Sequence, residues 1–283
     1  MTELENMPID HQGLERLDRM VTEALEFLCF PGKPWIPMRE QAGRAVEDVV
    51  IIGGGMVGML AWFALRSMGV ERLRILDQSK PGHEGPWLNY ARMQTLRSPK
   101  QLTGPAFGHG LLTFQAWYRA QFGAADWQAL DKIPRPMWMD YLKWYRKVLQ
   151  IPVENGIRVD LIEPDDDLLR LKQSGTKSDT ILTRKVVMAT GRDGTGKPNI
   201  PDFAKGLPPN LWAHSADDIN FNALRNKRVA VIGVGASAVD NAAEALEHGA
   251  SEVRHLIRRQ DMPTVNKMMG IGSAGFTAGF AAM

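Results

Sequence analysis

One cysteine, Cys29, is all the thiol chemistry the 283 residues contain. It excludes an internal disulfide and a Cys-x-x-Cys redox pair, and it suits a reducing cytoplasm, the expected location. Long apolar runs are missing as well, so no segment reads as a membrane-spanning helix. Met1 to Asp10 is acidic and polar and lacks the basic and apolar regions of a secretory signal. An excess of one charge is also absent. The 34 basic residues are scattered among 32 acidic ones for a net +2, which predicts neither nucleic acid nor an acidic membrane as partner. No catalytic triad, carboxylate pair or metal-ligand cluster stands out, so the sequence singles out no acid, base or metal ligand. Hydrophobic content of 44% and charged content of 23% are those of a globular chain.

The first apolar pattern is helical. Leu14, Leu17, Val21, Leu25 and Leu28 recur at steps of three and four, and Pro31, Gly32, Pro34 and Pro37 end the helix as a linker. Cys29 beside this stripe reads as a buried structural thiol. Asp48 to Ile52 is a continuous apolar run of the kind buried in a parallel sheet, with glycines directly after it. A helix from Met56 to about Met68, closed by Gly69, and a strand Leu73 to Asp77 complete a strand–helix–strand unit. Lys80 to Gly110 reads as a long ordered loop, and loops of that length tend to be functional. Phe114 to Phe122 and Met137 to Leu149 read as helices, with Trp138, Tyr141, Leu142, Tyr145 and Leu149 spaced to pack. Strands are expected at Leu168 to Lys172 and Ile181 to Met188. After a proline-rich crossover the first module returns: strand Arg228 to Ile232, glycines, a helix to about His248, and strand Val253 to Ile257.

Gly53-Gly54-Gly55-Met56-Val57-Gly58 is a full G-x-G-x-x-G. Gly53 permits a tight turn, Gly55 lets backbone approach a pyrophosphate, and Gly58 allows the helix to close on the strand. The free N–H groups at the start of the helix, around Met56 and Val57, favour phosphate. Asp77 lies 19 residues beyond Gly58, where a carboxylate beside Gln78 accepts from the adenosine ribose. The second turn, Gly233-Val234-Gly235-Ala236-Ser237-Ala238, has alanine in the third place. Arg258 and Arg259 follow at the end of its second strand, and arginine there suits a 2′-phosphate, hence NADP(H) over NAD(H). Two such turns, 180 residues apart (233 − 53), predict two nucleotides on one protein and a hydride route between them.

Gly53 to Gly58, Asp77, Val186 to Gly191 and Gly233 to Ala238 together resemble the flavin-dependent oxidoreductases with two dinucleotide-binding domains. The resemblance covers residues from about 46 onward. It implies an α/β chain of two Rossmann-like domains with mainly parallel sheets: a helix and linker over 1–45, an FAD-binding domain over 46–224, and an incomplete NAD(P)H-binding domain over 225–283. Gly85-Pro86-Trp87 looks like the Gly-x-Trp flavin loop of the class B flavoprotein monooxygenases. Met93-Gln94 and Pro134-Arg135 resemble segments of the N-hydroxylating lysine and ornithine monooxygenases. The resemblance therefore adds Trp87, Gln94 and Gly191 to the flavin site. It implies FAD and NADP(H) as cofactors, O₂ and a small molecule as substrates, and oxygenation through a flavin hydroperoxide.

Departures from that family are equally specific. Thr95-Leu96-Arg97-Ser98 stands where the amino-acid hydroxylases carry a lysine. The Baeyer–Villiger fingerprint is not reproduced around Phe203, Gly206 and His214, and His214 reads as a loop histidine. The same two turns would also serve an NAD(P)H-dependent flavin reductase, or a non-catalytic nucleotide-binding module. A homo-oligomer is compatible with the composition. The apolar, glycine-rich segment Met268 to Met283 is expected to be a truncation that leaves an apolar patch exposed.

Overall fold

The structure, a computed structural model, describes residues 10–177, 179–191, 194, 196, 198–258 and 260. Met268 to Met283 and Arg259 lie outside those residues. Helix α1 (His11–Phe27) is capped by Asp10, whose carboxylate accepts from the Gly13 N–H at 2.9 Å. Strands β1 (Glu40–Gln41) and β2 (Arg44–Ile52) follow, then α2 (Met56–Ser67) and β3 (Leu73–Asp77). The segment between Asp77 and the short 3₁₀ turn Gly110–Leu112 holds neither helix nor strand, as expected for the long loop. Beyond it come α3 (Phe114–Ala129), α4 (Arg135–Val148), β4 (Val153–Asn155), β5 (Ile157–Asp165), β6 (Leu168–Gly175) and β7 (Thr180–Met188).

These strands form one seven-stranded sheet in the order β4-β3-β2-β7-β6-β5, with β1 on the flank of β2. The first four are parallel, and β7, β6 and β5 turn back as an antiparallel meander. Alternation along β2 explains the two layers, because successive side chains point to opposite faces. Val49 and Ile51 enter the core made with the helices, together with Ile75, Phe63, Phe114 and Tyr141. Val50 faces the other way and packs with Leu76 of β3 and with Ile157, Leu171 and Ile181 of the meander. The helical aromatics expected to pack do so: Trp138, Tyr141, Leu142, Tyr145 and Leu149 are all buried. Helix α3 runs on past Phe122 through a break at Gly123, whose φ of 83° no helix permits.

After the short helix α5 (Asp202–Lys205), the module returns as β8 (Arg228–Ile232), α6 (Ala236–Glu247) and β9 (Glu252–Leu256), with β8 and β9 parallel. The repetition holds at a constant offset of 180 residues. The Gly53 N–H donates to Leu76 O and the Gly233 N–H to Leu256 O. Gly69 and Gly249 both take positive φ, 80° and 89°, just past the ends of α2 and α6. Val70 N–H reaches Leu65 O there, and Ala250 N–H reaches Ala245 O.

Two expectations change. Cys29 is exposed, not buried. Its N–H bonds Glu26 O and the Phe30 N–H bonds Leu25 O, which is a helix-ending Schellman pair. Cys29 occupies the left-handed position of that motif, φ 54°, beyond the buried stripe. Leu28, the C-cap, leaves the stripe for the same reason and is exposed. Strands β4 and β5 stand where the sequence pattern predicts none. β4 is three residues long, and β5 carries Arg158, Asp160 and Glu163 on an edge with a register break between Val159 and Leu161.

Candidate nucleotide-binding site

Gly53, at φ 106°, turns the chain off β2 with no room for a side chain: a Cβ there would lie 2.3 Å from Ala189 O. That brings the Ala189-Thr190-Gly191 segment beside the first turn, and Gly191, φ 78°, is exposed. A Cβ on Gly58 would meet Gly53 O at 1.8 Å, so this glycine lets α2 press against the turn. Gly55 caps α2 and is open. Its nearest neighbour on that side is Gly85, 3.8 Å from where a Cβ would stand. Met56 begins α2, and Val57 is exposed. The turn is thus shaped by its own packing at Gly53 and Gly58 and left free at Gly55, which is what a backbone cradle for a pyrophosphate requires.

Asp77, at the end of β3, is buried and accepts the Gly54 N–H on Oδ2 and the Ser79 N–H on Oδ1, both at 2.7 Å. Gln78, next to it, is exposed. Trp87 packs edge-on against Trp138. Arg135 ties the long loop together: its guanidinium donates to Trp87 O, and to Met93 O at 2.9 Å. Burial lowers the pKa of Arg135, partly countered by Glu244. Glu84, Arg146 and Asn155 join the site although nothing in their spacing marks them. They converge only because β4 and α4 lie beside the loop.

In the second turn Gly233 has φ 117°, and Gly235 caps α6 with nothing within 4 Å of where a Cβ would stand. Ala238 is tolerated because the helix stands farther off, its methyl lying 3.7 Å from where a Cβ on Gly233 would be. Ser237 is exposed. His255 Nδ1 lies 3.2 Å from Gly233 O, and since a carbonyl only accepts, this nitrogen carries the proton. At the constant offset, Ile257 stands where the first module has Asp77, and exposed Arg258 where it has Gln78. The second module therefore offers no carboxylate to a ribose hydroxyl at that place, and a guanidinium beside it.

Gln94 lies at the joint with α6, where Nε2 donates to Glu247 Oε1 at 3.3 Å. Beside it Arg97 pairs with Asp240 at 2.6 Å, and Arg92 lies over the Phe221 ring and donates to Asp217 O at 3.0 Å. These groups flank a cleft of about 350 Å³ between the long loop and α6. His214 is a loop residue: its N–H donates to Asp217 Oδ2, and its Nδ1 accepts from the Ala216 N–H. Among the described residues no cluster of His, Cys, Asp or Glu could hold a metal ion.

Comparison with known proteins agrees with this geometry. The family described as pyridine nucleotide-disulphide oxidoreductase matches residues 50–269. The FAD-dependent urate hydroxylase of Xanthomonas campestris pv. campestris is 42% identical over 274 residues. That alignment takes in 96% of this chain but 58% of the relative, so the chain spans little more than half of that protein's length. Among solved structures, ornithine hydroxylase from Pseudomonas aeruginosa superposes with a TM-score of 0.64 at 18% identity, covering 78% of this chain and 57% of that one. Bacillithiol disulfide reductase from Bacillus cereus gives 0.58 at 19% identity, covering 83% and 64%. Both show the fold alone. With two glycine turns of the geometry described and a family match over most of its length, the chain belongs to the pyridine nucleotide-disulphide oxidoreductase family.

Proposed function

We propose that this chain carries the FAD site and the opening part of the NADPH site of a flavin-dependent hydroxylase acting on a small molecule. The observation that carries the reading is the pair of glycine turns at constant offset, each pinned to the end of a parallel strand and each open at its middle glycine. In this reading residues 46–224 form the FAD-binding domain and 225–283 begin the NADPH-binding one. The N–H groups of Gly55, Met56 and Val57 meet the FAD pyrophosphate, with Gly53 and Gly58 shaping the turn. Asp77 organises the turn and, with Gln78, faces the adenosine ribose, while Trp87, Gln94 and Gly191 belong to the flavin half. Gly233, Gly235, Ser237 and Ala238 receive the NADPH pyrophosphate, and Arg258 with Arg259 the 2′-phosphate.

FAD held by the Gly53–Gly58 turn and Asp77 would supply the redox chemistry between NADPH and O₂. The chain's own part is to hold the two nucleotides and to exclude water from their meeting place. The substrate is proposed to be a purine like urate, from the 42% identical relative. The overall change is then substrate, O₂, NADPH and a proton to hydroxylated substrate, NADP⁺ and water. No helix among the described residues is long and apolar enough to cross a membrane. A cytoplasmic setting is part of the proposal, and neither nucleic acid nor membrane is among the proposed partners.

The test is NADPH consumption and O₂ uptake with urate, with the product analysed after reaction under ¹⁸O₂. One labelled oxygen per product supports hydroxylation. NADPH oxidation that returns all its electrons as hydrogen peroxide, whatever purine, amine or sulfide is offered, sinks it.

A further inference from the structure

Glu84 is a carboxylate buried to 4% exposure in a loop, a position that costs several kcal/mol unless fully partnered. Its Oε1 accepts from Arg146 Nη1 and from Asn155 Nδ2, both at 2.7 Å. Arg146, on α4, also donates to Val153 O at 2.9 Å, and Asn155 to Ser79 O at 3.2 Å. Asn155 is the β4 partner of Asp77 in the parallel ladder. One ionic cluster therefore joins the start of the long loop, the strand beside Asp77, and helix α4. The loop it holds has its backbone in unusual states on either side of Glu84, with Gly82 at φ 80° and Gly85 at φ 76°. Gly85 is the residue that faces Gly55 across the mouth of the first turn. Beside them a cavity of about 70 Å³ is lined by Gly55, Met59, Gly82, Glu84, Lys143 and Arg146 among others.

We propose that Glu84, Arg146 and Asn155 are positioning residues for FAD: they clamp the Gly82–Trp87 loop against the Gly55 turn and so set how fast the dinucleotide leaves. The inference rests on the FAD reading of the first turn. The loop has no helix or strand of its own to hold it. Arg135 holds its far end through Trp87 O, and at its centre Glu84 is the carboxylate that reaches inward to two separate elements. Asn89 bonds His83 O and Gly85 O within the loop, which leaves Glu84 to fasten its two left-handed glycines to β4 and α4.

A purely structural ion pair and a clamp respond differently to joint replacement. A buried pair can be exchanged for neutral side chains of similar size with little loss of stability, whereas removing one partner strands the other. The experiment compares Glu84→Gln, Arg146→Met and the Glu84→Gln/Arg146→Met double variant of this chain. The readouts are FAD dissociation, followed by recovery of flavin fluorescence, and apoprotein melting. Arg146→Met alone is expected to lower the melting temperature. The double variant is expected to melt within a few degrees of the wild type yet to release FAD at least tenfold faster. Wild-type release rates in a folded double variant overturn the clamp and leave the FAD reading intact. If the double variant itself melts early, Glu84→Gln decides in the same way, because it keeps shape and the Asn155 bond while removing the charge that holds Arg146. A wild-type chain that takes up no FAD removes the nucleotide reading and the clamp with it.

Discussion

Tyr141 and Tyr145 stand one helical turn apart on α4, both fully buried, and differ in what their hydroxyls can bond. The Tyr141 hydroxyl donates to Leu112 O at 2.7 Å, whereas the Tyr145 hydroxyl is buried without a partner. Burial pushes both phenols well above their ordinary pKa, so neither ionises in the working range. Removing a bonded buried hydroxyl strands its acceptor, but removing an unbonded one relieves a desolvation cost. Tyr141→Phe should therefore lose about 1 kcal/mol in urea unfolding, while Tyr145→Phe should be neutral or gain up to about 1 kcal/mol. Equal losses in the two variants would contradict the assignment. The glycines of the two turns separate fold from ligand in the same way. Gly58→Ala drives a methyl into Gly53 O and should cost roughly 1–3 kcal/mol of stability together with FAD binding. Gly235→Ala meets nothing, so its melting temperature should stay at the wild-type value while the KM for NADPH rises about tenfold or more. Unchanged NADPH kinetics in Gly235→Ala would remove the second nucleotide from this turn.

At the scale of the element, what could be read from the sequence followed hydrophobic periodicity and turn chemistry. β2, α2 and β3 were legible because a buried parallel strand is uninterrupted Val and Ile, and because glycine marks each change of direction. The same signals made the second module legible, to the end of its helix near His248. β4 and β5 were not legible: three residues carry no period, and an edge strand bearing Arg158, Asp160 and Glu163 resembles a polar loop. Glu154 on β4 shows what that short strand contributes. Arg74 on β3 grips it in a two-pronged pair at 2.6 and 2.9 Å, and Lys177 adds a third bond. Burial alone would raise its pKa, but the bonds from Arg74 and Lys177 outweigh burial and hold it below the ordinary 4.5. As pH falls past 4.5 the unfolded chain protonates Glu154 first. The pair's stabilisation is thus complete above that value and is lost as the pH drops through the lower folded value. Glu154→Gln should remove roughly 1 kcal/mol at pH 7 and flatten the acid limb of stability against pH. A limb that keeps the wild-type slope in urea titrations would place the sensitivity on another carboxylate.

At the scale of the whole molecule, the modules share a plan but differ in what surrounds them. In the first, the side of the sheet bearing Val50 and Leu76 is covered by the meander of β5, β6 and β7. In the second, the 180-residue counterparts of Ile52 and Leu76, namely Ile232 and Leu256, remain more than half exposed among the described residues. How the modules meet was invisible in the sequence, because the meeting residues lie more than a hundred positions apart and belong to no motif. The structure sets Gln94 against Glu247, inside a joint completed by Arg97–Asp240 and by Arg92 over Phe221. A joint of partly exposed charges is weak and adjustable by design. Its ion pair is worth about 0.2–1 kcal/mol and weakens with salt. It joins the long loop beside the first turn to α6 of the second, so under the proposed function its effect should appear in communication between the two turns and not in either alone. Arg97→Ala and Asp240→Ala, singly and together, should leave the FAD dissociation constant unchanged while slowing anaerobic flavin bleaching by NADPH a few-fold. The double variant should be no slower than either single one, since both changes break one contact. Adding salt should erase the difference between wild type and variants. Additive slowing in the double variant, or FAD loss in Arg97→Ala, would mean that these side chains act within their own modules and that the joint is held elsewhere.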